Sequence, residues 1–173
     1  FVRYADFSTN QYLQEVATGA TVTKAPGTLW SLTINSQTAQ VISNQQLLDA
    51  SSEFPLVFPD QVGQEWRHTY LNVHRPGVAH GEELFNAIAR YDRQTGKMAI
   101  ADLGDNCYPS EPVLVPSKDN PEQGWVLTVV YDGNTDSSEV RIYASDKLEA
   151  GSICRLALPT VIPPSFHGTW KQK

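Results

Sequence analysis

The sequence predicts an all-β protein of about three similar units, each with roughly four short strands. Helical periodicity is nearly absent, and apolar residues alternate with polar ones or come in short β-branched and aromatic runs. A motif in which a glutamate precedes an apolar run also recurs along the chain. Eleven Gly and eleven Pro in 173 residues suit many short connections better than long helices.

The candidate strands are short runs bounded by turn residues. They are Thr28–Ile34, Ala39–Ser43, Glu65–Val73, Leu84–Tyr91, Lys97–Leu103, Pro112–Val115, Trp125–Tyr131, Glu139–Ala144 and Ile153–Leu158. Turns are predicted between them at Asp92–Gly96 and Asp132–Asn134. The best helical candidate is the short segment Asn44–Ala50.

The internal repeat favours a β-propeller. The run that begins Glu53-Phe54-Pro55 resembles the run that begins Glu111-Pro112, at an offset of 58 residues (111 − 53). An alternating strand follows each run, beginning near Trp66 and Trp125. A period of this length with four short strands is typical of a propeller blade, because each blade buries its faces only against its neighbours. A two-sheet β-sandwich with chance similarity between strands is the alternative.

Composition excludes several classes of function. The chain carries 13 Lys+Arg against 19 Asp+Glu and has no basic cluster, so we expect no nucleic-acid partner. No apolar run approaches the roughly 18 residues of a spanning helix, and no leader is visible. We therefore expect a cytoplasmic protein. Cys107 and Cys154 fit no zinc pattern, and we expect both to be buried small hydrophobic residues.

The four histidines have different settings. We expect His68, His74 and His80 to be surface or loop residues. His167 lies in Pro163-Pro164-Ser165-Phe166-His167-Gly168-Thr169-Trp170, between prolines and aromatic residues, and we expect it to be enclosed. Such a histidine is either a hydrogen-bonded core residue or a metal ligand.

Glu53 and Glu111 stand at equivalent places in the repeat, each opening an apolar strand. Each is either a turn residue that accepts backbone N–H bonds or a carboxylate that points to the propeller axis and binds the far nitrogen of a metal-bound histidine. Paired carboxylates for glycoside hydrolysis are also conceivable, but an enclosed histidine favours a metal.

Taken in order, five motifs resemble the C-terminal part of the carotenoid cleavage oxygenase family. They are Glu53-Phe54-Pro55, Asn86–Asp92, Ser110–Pro116, Gly124–Leu127 and Phe166–Trp170. The resemblance implies a seven-bladed propeller with Fe(II) held by four histidines, which cleaves a conjugated double bond of an apolar polyene with O2. His167 matches the last iron ligand, Glu53 and Glu111 match glutamates behind the ligands, and Phe54 matches an aromatic residue of the substrate tunnel.

The resemblance covers residues 1–173 as one propeller segment, whose remaining blades would lie upstream. The other three iron ligands also lie upstream in the family, so we expect the 173 residues alone to be inactive. Stilbene cleavage and retinoid isomerisation within the family stay open, as does peripheral contact with a membrane. The alternative function is a non-catalytic β module that binds an apolar ligand or a partner protein.

Overall fold

The computed structural model describes residues 1–4, 26–78, 83–120 and 123–171. Within these ranges the chain forms twelve β-strands and two single turns of 3₁₀-helix, Pro59–Gln61 and Leu148–Ala150. The strands are β1 (Val2–Tyr4), β2 (Gly27–Ile34), β3 (Val41–Leu48), β4 (Ser52–Leu56), β5 (His68–Val73), β6 (Ala87–Asp92), β7 (Met98–Asp102), β8 (Cys107–Pro109), β9 (Val113–Pro116), β10 (Gly124–Asp132), β11 (Ser137–Ala144) and β12 (Cys154–Ala157).

The strands form three antiparallel sheets, as the repeat predicts. The first has the order β1-β2-β3 and the second β4-β5-β6-β7. The third has the order β12-β11-β10, with β8 and β9 both pairing with the far side of β10. The prediction of an all-β fold is therefore confirmed, and a two-sheet sandwich is excluded.

The best helical candidate, Asn44–Ala50, does not form a helix, because its first five residues belong to β3. β2 and β3 form a hairpin, and the Asn35 side chain accepts hydrogen bonds from the Gln37 and Thr38 N–H groups in its turn. This turn sets β3 against β2 along its length, with Leu48 opposite Leu29. Pairing between strands therefore overrides the short helical pattern.

Buried side chains from neighbouring sheets form one hydrophobic core. The largest fully buried ones include Tyr70, Tyr143, Leu71, Ile88 and Leu148. Polar contacts also cross between the sheets. The Tyr91 hydroxyl donates to the Leu47 carbonyl oxygen at 3.0 Å, and the Tyr70 hydroxyl donates to that of Ser145 at 3.2 Å. These contacts fix the second sheet against both of its neighbours.

The two cysteines are free thiols in different environments. Cys107 is buried as expected, but Cys154 is only half-buried, so that expectation is wrong for Cys154. The reason is its place in β12, the outermost strand of the third sheet, whose outer side is uncovered by other described strands. No helix in the described part of the chain is long and apolar enough to cross a membrane.

Gly124 is required where β10 meets β9. A Cβ atom at this position would overlap the Val115 carbonyl oxygen and lie 2.9 Å from the Phe58 ring. We expect Gly124→Ala to lower the free energy of unfolding by about 1–3 kcal/mol, because neither the paired backbone nor the buried ring can move away freely. Urea unfolding measures this change.

Gly133→Ala is the matched control, since the nearest atom to its added Cβ lies at 3.4 Å. We expect a much smaller loss of stability there. Equal losses in the two variants would show that the contact at Gly124 is relieved by local movement.

Candidate metal centre

Glu53 and Glu111 stand at matching bulges along the edges of two sheets: Glu53 directly precedes its bulge in β4, and Glu111 lies within the bulge between β8 and β9. In β4, two residues lie between Glu53 and Leu56, whereas one residue of β5 lies between their partners Asn72 and Tyr70. Between β8 and β9, residues 110–112 likewise face only residues 128 and 129 of β10. Each edge thus carries one extra residue, and such bulges redirect side chains. We call β4 together with β8 and β9 the shared edge.

Phe54 follows Glu53 within the first bulge in a left-handed conformation, with φ of 54°. A non-glycine residue pays roughly 1–2 kcal/mol for this conformation. The bulge turns the Phe54 ring towards the C-terminal segment that follows β12. There it meets the Phe166 ring edge-on at 6.1 Å and the His167 ring edge-on at 5.9 Å between centroids.

The C-terminal segment brings His167 back to the shared edge. Oε2 of Glu111 lies 3.2 Å from Nδ1 of His167 and accepts a hydrogen bond from the Gly168 N–H at 3.1 Å. Gly168 packs closely, because a Cβ atom there would lie 3.1 Å from Cγ2 of Val113. The structure therefore brings together three of the four residues predicted for the site: His167, Glu111 and Phe54.

The described residues leave the imidazole of His167 largely open. Its side chain is 78% exposed, whereas the Glu111 side chain is 10% exposed. The segment contacts the shared edge through Glu111 and Phe54, and of the two aromatic neighbours Phe166 is itself 55% exposed. The pair therefore joins a nearly buried carboxylate to an open imidazole.

Glu53 lies in the same edge but has a different environment. The described residues give its carboxylate one hydrogen bond, from the Phe54 N–H at 3.2 Å. Burial raises the pKa of the Glu53 carboxyl, and the Phe54 hydrogen bond offsets part of that rise. A half-buried carboxylate in this state gains stability from a further donor, such as an imidazole N–H.

The raised pKa of Glu53 predicts a pH-dependent stability. The folded state holds the proton more tightly than the unfolded state, so the carboxylate destabilises the fold increasingly as pH rises above about 4.3, the ordinary value for glutamate. We expect Glu53→Gln to raise the free energy of unfolding at pH 7 and to change it little below pH 4. Urea unfolding of the 173-residue chain at the two pH values measures this, with the exposed Glu149→Gln as control. A gain of equal size at both pH values would contradict the prediction.

The other histidines lie elsewhere. His68 begins β5 rather than a loop, its side chain is 31% exposed, and it lies 4.0 Å from the Asp92 carboxylate. His74 is half-buried after β5, with its ring 4.7 Å from that of Phe85. The expectation for His80 falls outside the described residues. In the described part of the chain, no three His, Cys, Asp or Glu side chains are grouped so that they could hold a metal ion.

The donor set fits one ligand position of a metal site. When Nδ1 of His167 carries the ring proton, it donates to Glu111 and leaves the Nε2 lone pair available to a metal. A carboxylate behind a metal-binding histidine in this way fixes the tautomer and raises the basicity of the ligand. A single imidazole does not hold iron, so any iron bound here needs ligands beyond the described residues.

The sequence reasoning missed the polar residues behind this pair. Ser110 precedes Glu111, and its hydroxyl accepts hydrogen bonds from both the N–H and the hydroxyl of Ser165. The only signal for Ser110 is its place in the Ser110–Pro116 motif of the family resemblance. No local signal marks Asn72, which reaches the same point from β5.

Comparison with known proteins identifies the family of this chain. The family model described as retinal pigment epithelial membrane protein, RPE65, matches residues 1–172. The chain belongs to the RPE65 and carotenoid cleavage oxygenase family. Among curated members, apocarotenoid-15,15'-oxygenase from Synechocystis is 32% identical over 152 residues, which are 85% of this chain and 30% of that protein.

Other members of the RPE65 and carotenoid cleavage oxygenase family match the chain with similar identity and coverage. Lignostilbene-alpha,beta-dioxygenase isozyme III from Sphingomonas paucimobilis is 29% identical over 151 residues, 82% of this chain and 31% of the relative. The crystal structure of cobalt-substituted Synechocystis apocarotenoid oxygenase superposes with a TM-score of 0.77 at 30% identity, over 86% of this chain and 31% of that one. The chain thus spans about a third of the length of these family members, and the three sheets are propeller blades.

Proposed function

We propose that this chain is part of an Fe(II)-dependent oxygenase that cleaves a conjugated double bond of a carotenoid or apocarotenoid with O2. One observation carries the proposal: a nearly buried glutamate, Glu111, holds Nδ1 of an open histidine, His167, at an edge lined by Phe54. The family contains carotenoid- and stilbene-cleaving oxygenases, as the names of its matched members state.

In this proposal His167 binds the iron through Nε2, and Glu111 orients the ring from behind. Bound Fe(II) supplies the redox chemistry that lets O2 react with a double bond, and each carbon of that bond gains one oxygen atom as a carbonyl. The Gly168 N–H bond to Glu111 fixes the carboxylate so that the imidazole does not rotate away. Glu53 holds a second imidazole in the same way, which would satisfy its half-buried carboxylate.

Phe54 forms part of the wall along which the substrate lies. Its ring stands edge-on to His167, so an apolar chain passing over the imidazole would contact an aromatic face instead of water. A polyene offers little but apolar surface, and sites for such ligands are lined mainly by apolar side chains.

The remaining parts of the enzyme follow from the same proposal. Residues 1–173 form one propeller segment, and the other iron ligands and blades lie outside these residues. In this proposal the protein is cytoplasmic, with peripheral contact to a membrane as one route to its apolar substrate.

The natural protein with Fe(II) and O2 tests the function. We expect it to bleach the visible absorbance of an apocarotenoid aldehyde and to give two carbonyl products by mass spectrometry, while iron-depleted protein gives none. A matched set of hydroxylated stilbenes separates the two substrate classes. Turnover of stilbenes alone would overturn the carotenoid assignment, and turnover of neither class would favour a non-catalytic binding module.

A further inference from the structure

We propose that Ser110 is a positioning residue, which holds the segment carrying His167 in register with Glu111. The proposal concerns the geometry of this pair, and it rests on the proposed function only where iron is measured. Ser110 touches neither the imidazole nor the Glu111 carboxylate through its side chain. Instead, its hydroxyl holds the segment that carries His167, and its backbone continues directly into Glu111.

The Ser110 hydroxyl contacts the C-terminal segment directly. It accepts a hydrogen bond from the Ser165 N–H at 3.2 Å and one from the Ser165 hydroxyl at 3.0 Å. Ser165 stands two residues before His167, and Ser110 immediately precedes Glu111. The Ser110–Ser165 contact therefore joins the same two segments as the His167–Glu111 contact, at positions no more than two residues away from it.

The Ser110 backbone is fixed by three further hydrogen bonds. Its N–H donates to the Val129 carbonyl oxygen at 2.8 Å. Its own carbonyl oxygen accepts from the Thr128 hydroxyl at 2.9 Å and from the Asn72 amide at 3.2 Å. Ser110 is 6% exposed, Thr128 2% and Asn72 1%, so water competes little for these bonds.

Asn72 extends the network to the other bulge. It lies in β5 directly opposite Glu53 of β4, and its side chain also reaches the Pro109 carbonyl oxygen at 3.4 Å. The second sheet, the third sheet and the C-terminal segment thus meet at Ser110. A metal-binding histidine and the carboxylate behind it keep the narrow geometry that a metal requires when a network of buried groups holds them. A free segment would not keep that geometry.

A second serine provides a matched control on the same segment. The Ser138 hydroxyl donates to the Ile162 carbonyl oxygen and accepts from the Ile162 N–H, both at 2.8 Å. Ser138 is buried like Ser110, at 3% exposure, but anchors the segment five residues before His167. Ser138→Ala therefore removes as many hydroxyl contacts without touching the region of Glu111.

The experiment measures amide hydrogen exchange in the metal-free natural protein, resolved at Gly168 and Ile162. We expect Ser110→Ala to speed exchange at Gly168 by about tenfold, the scale of one lost hydrogen bond, although Ser110 does not contact Gly168. Ser138→Ala should speed exchange at Ile162 and leave Gly168 within about twofold of the wild type. Equal acceleration of Gly168 in both variants would overturn the proposal, because it would mean general fraying of the segment.

Ser165 gives a second pair of variants if Ser110→Ala does not fold. Ser165 is exposed, so Ser165→Ala removes one hydroxyl bond with little risk to the core, and Ser165→Thr keeps that hydroxyl. We expect faster exchange at Gly168 in Ser165→Ala and rescue in Ser165→Thr. Unchanged exchange in Ser165→Ala, or the same acceleration in both, would overturn the role of the serine pair.

Iron release gives the functional readout. We expect Ser110→Ala to release Fe(II) to a chelator about tenfold faster than Ser138→Ala, the low end of the range by which loss of a group directly behind a ligand weakens metal binding. Equal release rates with faster exchange at Gly168 would limit Ser110 to holding the segment and contradict its role for the metal. If the wild-type protein binds no iron, the proposed function fails, while the exchange data still decide whether Ser110 positions the pair.

Discussion

Replacing His167 by glutamine in the natural protein is expected to abolish both iron binding and double-bond cleavage. Glutamine keeps a polar side chain of similar reach but offers no imidazole nitrogen to Fe(II). We expect the affinity for iron to fall by more than the roughly 100-fold that loss of a group behind a ligand can cost. Iron per chain after dialysis and turnover of an apocarotenoid aldehyde measure the effect.

The matched control for this variant is His68→Gln. His68 lies at the start of β5 beside Asp92, on a different part of the second sheet from Glu53. We expect His68→Gln to keep wild-type iron content and turnover. Iron retained in His167→Gln would remove the ligand role of His167, and iron lost equally in both variants would point to a general loss of folding.

The second large effect is expected for Glu111→Ala. Loss of its carboxylate leaves Nδ1 of His167 and the Gly168 N–H without their acceptor. The imidazole then takes either tautomer and several orientations, so we expect iron affinity and turnover to fall about 10–100-fold. Titration of the metal-free protein with Fe(II) without oxygen measures the affinity directly.

Glu111→Gln refines the test because it keeps one oxygen acceptor but no charge. We expect an intermediate loss, since glutamine can still accept a hydrogen bond from either His167 or Gly168. Glu149→Ala removes an exposed carboxylate elsewhere and should have no effect on iron. A Glu111→Ala variant with wild-type affinity would show that the carboxylate serves only the fold.

The internal repeat predicted more residues of the candidate site than the pattern of candidate strands did. Glu53 and Glu111 are 58 residues apart (111 − 53), and the structure places both at one-residue bulges in edge strands. Local patterning succeeds here because a repeated unit must repeat its backbone irregularities as well as its apolar residues. Each bulge contains a proline, Pro55 or Pro112, which a strand tolerates only at such irregularities or at a sheet edge. The left-handed conformation of Phe54 has no such mark, because its residue type does not favour it.

Strand pairing limited the prediction elsewhere. The segment after Ser43 pairs with β2 in a hairpin, so the helical candidate forms a strand instead. Strand β8 was not predicted because it has only three residues and ends in Pro109. Proline has no backbone N–H to donate, which is tolerated in an edge strand because one side of that strand pairs with no neighbour.

Contacts between distant segments were beyond local reasoning. Asn72 and Ser110 are 38 residues apart, and Ser110 and Ser165 are 55 apart, so only the packed sheets bring them together. Local composition indicates which residues are stiff or apolar, whereas the surrounding sheets decide what covers them.

The most direct test is anomalous diffraction at the iron edge from a crystal of the natural protein grown with Fe(II). The account predicts one strong peak at bonding distance from Nε2 of His167, with Glu111 on Nδ1 of the same ring. A peak bound to other residues, or Fe(II) in the crystal with no peak at His167, would contradict the assignment of this pair to an iron centre.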